Sequence, residues 1–253
     1  MNALLIALQF LTRLPVRLAG MPEPQAFGRS LLWYPAVGAL LGALLTGFLQ
    51  LPLPPLLHAA LLLALWVALT GALHLDGLAD CADAWVGGHG DRERTLAIMK
   101  DPSAGPMGVT ALVIVLLLKF SALVTLLDAG HVHALWLVPL LARAAMPALF
   151  LTTPYLRSGG LGSALAEHLP RRSALLVVLL ALALCITAKL DGVWLALVAV
   201  LGFALIRAAL LRRLGGFTGD GAGAMLELLE TALLLTLAVA ANAVSIDPAA
   251  PLR

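Results

Sequence analysis

Long apolar stretches follow one another along the chain and are separated by short polar connections. A membrane-spanning helix needs about 20 apolar residues at a rise of about 1.5 Å per residue. The pattern predicts seven such helices, over residues 31–51, 56–75, 107–127, 133–153, 173–189, 192–210 and 224–244. These stretches are continuous and do not alternate, which argues against a β-barrel. We therefore expect an all-α polytopic membrane protein that forms a single domain over residues 1–253.

The first 18 residues form an amphipathic segment that is interrupted by Arg13, Pro15 and Arg17. No cleavable small-residue site follows a basic start, so the pattern does not fit a signal peptide. We predict an N-terminal amphipathic helix that is interfacial or partly inserted.

The composition agrees with a membrane class. The chain is 61% hydrophobic and 12% charged, and its mean hydropathy of +1.00 lies outside the range of soluble domains. The formal net charge is +2 and the chain has no basic run, so we do not expect nucleic-acid binding. We expect membrane lipid to surround the protein. Cys81 and Cys185 lack metal-ligand spacing, so we expect both to be small packing residues.

Lysine and arginine are distributed unevenly between the two sets of alternate connections. One set carries only Lys189, and the C-terminal tail, which is counted with it, carries Arg253. Because these residues are enriched on the cytoplasmic side of membrane proteins, we predict a cytoplasmic N-terminus and cytoplasmic connections after the second, fourth and sixth helices. The other set, together with the N-terminal segment, carries Arg13, Arg17, Arg29, Arg92, Arg94, Lys100, Arg157, Arg171, Arg172, Arg207, Arg212 and Arg213.

Three aspartates, Asp76, Asp80 and Asp83, directly follow the second predicted helix on its cytoplasmic side. Spacings of four and three place them within roughly 60° of arc on one helix face. Like charges so close together repel one another unless a cation lies among them, and carboxylate oxygens suit Mg²⁺ first and Mn²⁺ second. We therefore predict a divalent metal site. The alternative is a solvated polar helix start, where acids favour the positive end of the dipole.

Further polar residues lie on the same predicted side. Lys100 and Asp101 end a short helical stretch, where they fit a phosphate contact and a metal ligand, or an ordinary helix end. His74 fits a general base or a hydrated interfacial histidine. Arg157, in a glycine-containing connection, fits a phosphate contact or a residue that sets topology.

Residues 214–230 contain a glycine-rich segment that leads into the last predicted helix. Its glycines permit close backbone approach, and amides at a helix start can hold an anion. Asp220 fits an N-cap or a further metal ligand. Glu227 and Glu230 face the same way inside a span, where acids usually pair or function. Their candidate partners within spans are Arg143 and Lys119, with snorkelling as the alternative for the lysine.

Taken in order, these motifs resemble the cobalamin synthase family, the adenosylcobinamide-GDP ribazoletransferases. The specific ones are the histidine–aspartate segment 71–80 and the Thr-Gly-Asp segment 218–220. The one departure is the run 102–104, Pro-Ser-Ala, where the family commonly has a polar or basic residue. The resemblance covers nearly the whole chain and includes residues 10–16, 34–38, 98–101, 154–157 and 215–227.

The resemblance implies a transferase that joins adenosylcobinamide-GDP to α-ribazole, or its 5′-phosphate, and releases GMP at the cytoplasmic face of the bacterial inner membrane. It implies Mg²⁺ as the cofactor and leaves a homo-oligomer open. The implied catalytic residues are His74, Asp76, Asp80 and Asp83, the three aspartates being the Mg²⁺ ligands. The implied substrate contacts are Lys100, Asp101, Arg157, Thr218, Gly219, Asp220 and Glu227.

Two other functions use membrane-embedded acids. A phosphotransferase acting on CDP-alcohol lipids also has an acidic metal cluster, but with different spacing and with an Ala-Arg pair that this chain lacks. A cation transporter is expected to distribute acids through the bilayer depth, often in repeated halves. Here the acids gather at one face and no repeat is evident, so both are weaker alternatives.

Overall fold

The computed structural model describes residues 2–18, 20, 22–159 and 161–246, and in these ranges the regular elements are helices. Two short 3-10 segments, Leu31–Trp33 and Leu184–Ala188, lie between them. The helices are α1 (Asn2–Leu11), α2 (Pro24–Ser30), α3 (Tyr34–Phe48), α4 (Pro55–Thr70), α5 (Leu73–Gly87), α6 (Arg92–Ile98), α7 (Pro106–Asp128), α8 (Leu137–Thr152), α9 (Leu161–Glu167), α10 (Arg171–Ala183), α11 (Lys189–Leu214) and α12 (Gly219–Ile246).

Four helical runs of the described chain are long and apolar enough to cross a membrane: Pro24–Phe48, Pro106–Asp128, Arg171–Leu214 and Gly219–Asn242. By length and composition the number rises to five if α4 and α5, which meet at 89°, form one broken span. The all-α, multi-pass membrane class is therefore confirmed, but the predicted seven spans are not. The predicted helix 133–153 is shorter in the structure, because α8 has 16 residues. The predicted helices 173–189 and 192–210 fall within one helical run, which reverses direction between them.

The run Arg171–Leu214 doubles back on itself. Arg171 Nη2 donates to the carbonyl of Leu151 at 2.5 Å, and Arg207 Nη2 donates to the carbonyl of Thr152 at 2.6 Å. A straight helix would separate residues 171 and 207 by about 54 Å, so both arginines cannot reach the end of α8 unless the chain reverses. The reversal lies at the 3-10 segment, and α10 and α11 consequently run in opposite directions along α8.

The break between α4 and α5 determines where the aspartates lie. Gly71 and Ala72 both have left-handed backbones, with φ of 63° and 57°. The Gly71 N–H donates to Ala68 O and the Ala72 N–H donates to Val67 O, each at 3.2 Å, which is the Schellman pattern that ends a helix. The helix predicted over 56–75 therefore ends at Thr70, and α5 leaves at a steep angle to α4.

The N-terminal helix α1 packs against α2 and α3 and buries Ile6, Ala7 and Leu11. It ends before Arg13, whose backbone N–H donates to Leu69 O at 2.7 Å. A helix is therefore confirmed in this segment, whereas its depth relative to the membrane stays a prediction.

Helix α12 lies at the centre of the molecule, packed against α5, α7, α8 and α11. Its span is 67% buried, compared with 22% for Arg171–Leu214. The peripheral helices instead expose large apolar side chains, as lipid-facing surfaces do; examples are Leu56, Leu117 and Leu205. Both cysteines are free and buried, in line with a packing role.

Candidate active site

Helix α5 reaches the start of α12 through a close backbone contact. A Cβ on Gly77 would lie 2.9 Å from Asp220 Cα, and a Cβ on Gly223 would lie 3.3 Å from His74 Cα. Only glycine permits the approach at Gly77, because real Cβ atoms do not come so close to a backbone. The aspartates of α5 and Asp220 of α12 consequently share one region.

Asp76 and Asp80 are the open carboxylates of this region. Asp76 is exposed and Asp80 is half-buried. Among the described residues neither carboxylate accepts a hydrogen bond or forms an ion pair. The charged groups that act on Asp80 are three carboxylates and one guanidinium, those of Asp76, Asp220, Asp83 and Arg157. The region therefore has an excess of negative charge that the neighbouring side chains do not balance.

Asp83 binds the start of α7 instead of standing open. Its Oδ2 accepts the Gly105 N–H at 2.7 Å, and its Oδ1 accepts the N–H groups of Met107 and Gly108 at 3.1 and 2.9 Å. A Cβ on Gly105 or Gly108 would lie 2.4 Å from a carboxylate oxygen. Asp83 thus satisfies the unpaired backbone donors of a helix N-terminus, and its negative charge suits the helix dipole there.

The three aspartates do not form one metal cage. In the part of the chain that the structure describes, three potential metal ligands have donor atoms within 4.8 Å of one another in a different region. They are His131, His133 and Asp191. Mg²⁺ is commonly held by one or two carboxylates together with substrate phosphates, and it keeps several waters. The two open carboxylates of Asp76 and Asp80 fit that mode, and their assignment as Mg²⁺ ligands stays a prediction. Asp83 fits a metal ligand less well, because its carboxylate already accepts hydrogen bonds from the start of α7.

Arg157 is held beside these carboxylates. Its Nη2 lies 2.6 Å from Asp220 Oδ2 and also donates to Met99 O at 3.2 Å. Both partners are acceptors on different elements, so the guanidinium plane is well defined. A further face of the guanidinium is available because the side chain is 33% exposed.

The two glycine-containing connections form one unit. The Leu156 N–H donates to Phe217 O and the Phe217 N–H donates to Pro154 O, both at 2.9 Å. This pairing was not predicted, because an isolated bridge of two residues has no periodic pattern. The pairing brings Arg157 and Asp220, both predicted to contact substrate, next to each other.

Thr218 is the N-cap of α12. Its buried Oγ1 accepts the Gly221 N–H at 3.1 Å, as N-cap side chains do. Asp220, for which an N-cap was one interpretation, lies inside the first turn and pairs with Arg157. A Cβ on Gly219 would meet nothing within 4 Å, so the helix start faces open space.

A cavity of about 330 Å³ opens at this helix start. Arg157 and Gly219 line it, and so do the aromatic rings of Phe10, Tyr34 and Tyr155. Phe10 and Tyr34 stack with ring centroids 6.2 Å apart. The cavity therefore combines flat apolar walls with a cation and a helix N-terminus.

Lys100 and Asp101 are exposed at the end of α6. Hydrogen bonds from the Ser103 hydroxyl and backbone N–H lower the pKa of Asp101. Both residues directly follow Met99, whose carbonyl accepts from Arg157. They lie at the rim of the site with side chains in solvent.

Glu227 lies in a buried ion network and not at the open carboxylates. Lys119 Nζ is 2.6 Å from both Glu227 Oε2 and Glu230 Oε2, and Arg143 Nη1 is 2.7 Å from Glu230 Oε1. All four side chains are buried. The predicted pairing of these acids with Lys119 and Arg143 is confirmed, and snorkelling of Lys119 is excluded. A substrate contact by Glu227 stays a prediction, although the Glu227 carboxylate is already paired with Lys119.

His74 belongs with the same network. It is 3% exposed, and neither ring nitrogen has a partner in the described structure. The charged groups that act on it are Arg143, Glu230 and Lys119. His74 therefore faces the protein interior behind the aspartates.

Comparison with known proteins places the chain in a family. A family model described as cobalamin-5-phosphate synthase matches residues 3–238. The chain belongs to that family. Proteins called adenosylcobinamide-GDP ribazoletransferase from Pseudomonas paraeruginosa and Stutzerimonas stutzeri are 60% and 61% identical to it over 241 residues. Each alignment covers 94% of this chain and 98% of the relative. No solved structure matches the chain.

In this member of the cobalamin-5-phosphate synthase family, most predicted site residues come together. Those that gather around the start of α12 are Asp76, Asp80, Lys100, Asp101, Arg157, Thr218, Gly219 and Asp220. Asp83 holds α7, and His74 and Glu227 lie in the buried network. The aromatic cavity was not predicted. Its residues lie in four separate segments of the family resemblance, and their spacing along the chain does not show that these segments meet.

Proposed function

We propose that this protein is a Mg²⁺-dependent adenosylcobinamide-GDP ribazoletransferase. It joins adenosylcobinamide-GDP to α-ribazole, or its 5′-phosphate, and releases GMP, which completes the nucleotide loop of cobalamin. Relatives with that name are about 60% identical over nearly the whole chain. The structural observation that carries the proposal is the pair of open carboxylates, Asp76 and Asp80, beside the fixed guanidinium of Arg157.

The reaction is a phosphoryl transfer. The ribazole hydroxyl oxygen forms a bond to the phosphorus attached to cobinamide, the bond from that phosphorus to the bridging oxygen breaks, and the bridging oxygen leaves on GMP. Asp76 and Asp80 are the residues that would hold Mg²⁺. When bound, the ion supplies neutralisation of the diphosphate charge.

Cationic side chains hold the diphosphate. Arg157 is placed by Asp220 and Met99 O so that its free face meets phosphate oxygens, and Lys100 at the rim adds a mobile positive charge. Positioning of this kind accounts for much of the rate in phosphoryl transfer. The N–H groups at the start of α12 provide further donors to an anion.

The proton of the attacking hydroxyl passes to a carboxylate. Asp76 or Asp80, where not engaged with the metal, is open to substrate, whereas His74 is 3% exposed. A general base must come within hydrogen-bond distance of the proton that it takes. The geometry therefore favours a carboxylate over the predicted histidine as the acceptor.

The aromatic cavity fits the planar base of one substrate. Its volume of about 330 Å³ is at the lower end for small-molecule sites. Aromatic walls of Phe10 and Tyr155 suit stacking against a flat ring, and Arg157 at the opening suits the attached phosphate.

The site faces the cytoplasm of a bacterial inner membrane in this proposal. Connections that the Lys and Arg distribution assigns to the cytoplasm meet around the site: Arg213 donates to Trp85 O at 2.9 Å, and Arg92 donates to Leu214 O at 2.6 Å. Asp191 and His131, which the distribution assigns to the other side, meet at the far end of α7.

The test is an assay of purified protein with adenosylcobinamide-GDP and α-ribazole, with and without Mg²⁺. We expect GMP release only when both substrates and the ion are present. Turnover of a CDP-alcohol lipid, or ion flux through vesicles without GMP release, would support one of the alternative functions instead.

A further inference from the structure

Three potential metal ligands meet at the end of α7 that lies away from the aspartates. His131 Nε2 is 2.6 Å and His133 Nε2 is 3.1 Å from Asp191 Oδ2. The two imidazole rings form an edge-to-face pair with centroids 4.7 Å apart. One ligand atom from each residue lies within 4.8 Å of the other two. We propose that His131, His133 and Asp191 bind a divalent transition metal ion of the Zn²⁺ class.

The backbone around His131 is well defined. The Gly130 N–H donates to Leu127 O at 3.1 Å and the His131 N–H donates to Leu126 O at 2.9 Å. With φ of 63° at Gly130, this is a Schellman motif that ends α7. Ala134 and Leu135, directly after His133, are fully buried. Both histidines therefore lie on a short connection that is anchored at each end.

Asp191 comes from a distant and equally constrained segment. It lies in the first turn of α11, and its side chain is 12% exposed. The next residue, Gly192, packs so closely on the Cys185 carbonyl that a Cβ would overlap it. Two anchored segments 60 residues apart therefore present three ligand atoms to one region. A tetrahedral ion separates its ligand atoms by about 3.3 Å, so the hydrogen-bonded side chains must move apart slightly on binding.

The donor set selects the ion. Two imidazole nitrogens and one carboxylate oxygen are typical of open zinc sites, which leave a fourth position for water. Imidazole favours Zn²⁺, Ni²⁺, Cu²⁺ and Co²⁺ over Mg²⁺ and Ca²⁺. The 58% exposure of His133 provides the route of entry for the ion.

This site is separate from the proposed catalytic region. Helix α7 has 23 residues and is therefore about 35 Å long. Asp83 binds its start and His131 lies beyond its end. A bound ion would join the α7–α8 connection to α11 and stabilise the folded protein. The inference does not depend on the proposed transferase activity.

The experiment uses the full chain in detergent, with any affinity tag removed and metals stripped by chelation. Co²⁺ is titrated as a probe because its visible absorption reports coordination, and Zn²⁺ is then added in competition. We expect one equivalent of Co²⁺ with a tetrahedral-type spectrum, displacement by Zn²⁺, and a higher Tm with Zn²⁺ than without.

The variants His133→Gln and Asp191→Asn should each lose the Co²⁺ spectrum and the Zn²⁺-dependent rise in Tm, with at least tenfold weaker binding. The matched controls are His89→Asn and Asp128→Asn, an exposed histidine and an exposed aspartate outside the cluster, and both should bind like wild type. If Asp191→Asn fails to fold, the half-exposed His133→Gln decides. Absence of Co²⁺ binding by the wild type, or equal binding by His133→Gln, would overturn the proposal.

Discussion

Arg157 and Asp220, 63 residues apart in sequence, form an ion pair of 2.6 Å between Nη2 and Oδ2. The pair joins the connection after α8 to the first turn of α12, next to the open carboxylate of Asp80. A single cation is thereby fixed within a group of acids. This arrangement of one cation among several acids suits the binding of a diphosphate together with Mg²⁺.

Arg157→Lys tests whether the guanidinium geometry matters beyond its charge. Lysine keeps the charge but cannot hold Asp220 and the Met99 carbonyl in one plane. We expect kcat/KM for GMP release to fall about tenfold or more, with little change in Tm. The exposed Arg172→Lys is the control and should behave as wild type. Equal activity of the two variants would contradict the assigned role of Arg157.

Asp83→Ala tests the structural role of the third aspartate. Removal of an acceptor for the α7 N-terminus is expected to destabilise the protein by about 1–2 kcal/mol, visible as a lower Tm. Asp83→Asn, which keeps an acceptor oxygen, should recover part of that loss. An unchanged Tm together with lost Mg²⁺ dependence in both variants would instead identify Asp83 as a metal ligand.

Gly77→Ala tests the close crossing of α5 and α12. The added methyl would lie 2.9 Å from the Asp220 backbone, so the helices must separate and the aspartates must move from Arg157. We expect loss of activity and of about 1–3 kcal/mol of stability from overpacking. Gly47→Ala, where a Cβ meets nothing within 4 Å, is the matched control and should be neutral or stabilising. Wild-type activity in Gly77→Ala would rule out a tight crossing.

Lys119→Met tests the buried ion network. It leaves Glu227 without a cation in a buried position, which is expected to cost about 3–5 kcal/mol. The double variant Lys119→Met/Glu227→Gln should regain part of the Tm, because the uncompensated charge is removed. Lys100→Met, at an exposed site, should leave Tm unchanged. A stable Lys119→Met protein would show that the network contributes little to folding.

The sequence was sufficient where a general physical rule applies to a residue type, even when its partner lies far along the chain. Apolar length predicts the helical membrane class, and an acid inside an apolar helix needs a cation, which correctly associates Glu227 and Glu230 with Lys119 and Arg143. The positions of Asp76 and Asp80 on one face of a helix likewise follow from their spacing.

The sequence was insufficient where the partner is a backbone group or where the backbone takes a conformation that the residue type does not indicate. Asp83 accepts from backbone donors 22 to 25 residues later, and nothing in its own neighbourhood indicates a cap. The break after Thr70 depends on Ala72 in a left-handed conformation, which alanine rarely adopts.

The most direct test of the central claim is the Mg²⁺ dependence of GMP release by Asp80→Asn, compared with Asp128→Asn at the far end of α7. If the open carboxylates hold the ion that the transfer requires, Asp80→Asn loses activity by about 100-fold or more at every Mg²⁺ concentration while its Tm stays close to that of wild type. Asp128→Asn keeps the wild-type rate and the wild-type Mg²⁺ requirement. A fully active Asp80→Asn with an unchanged Mg²⁺ requirement would contradict the account.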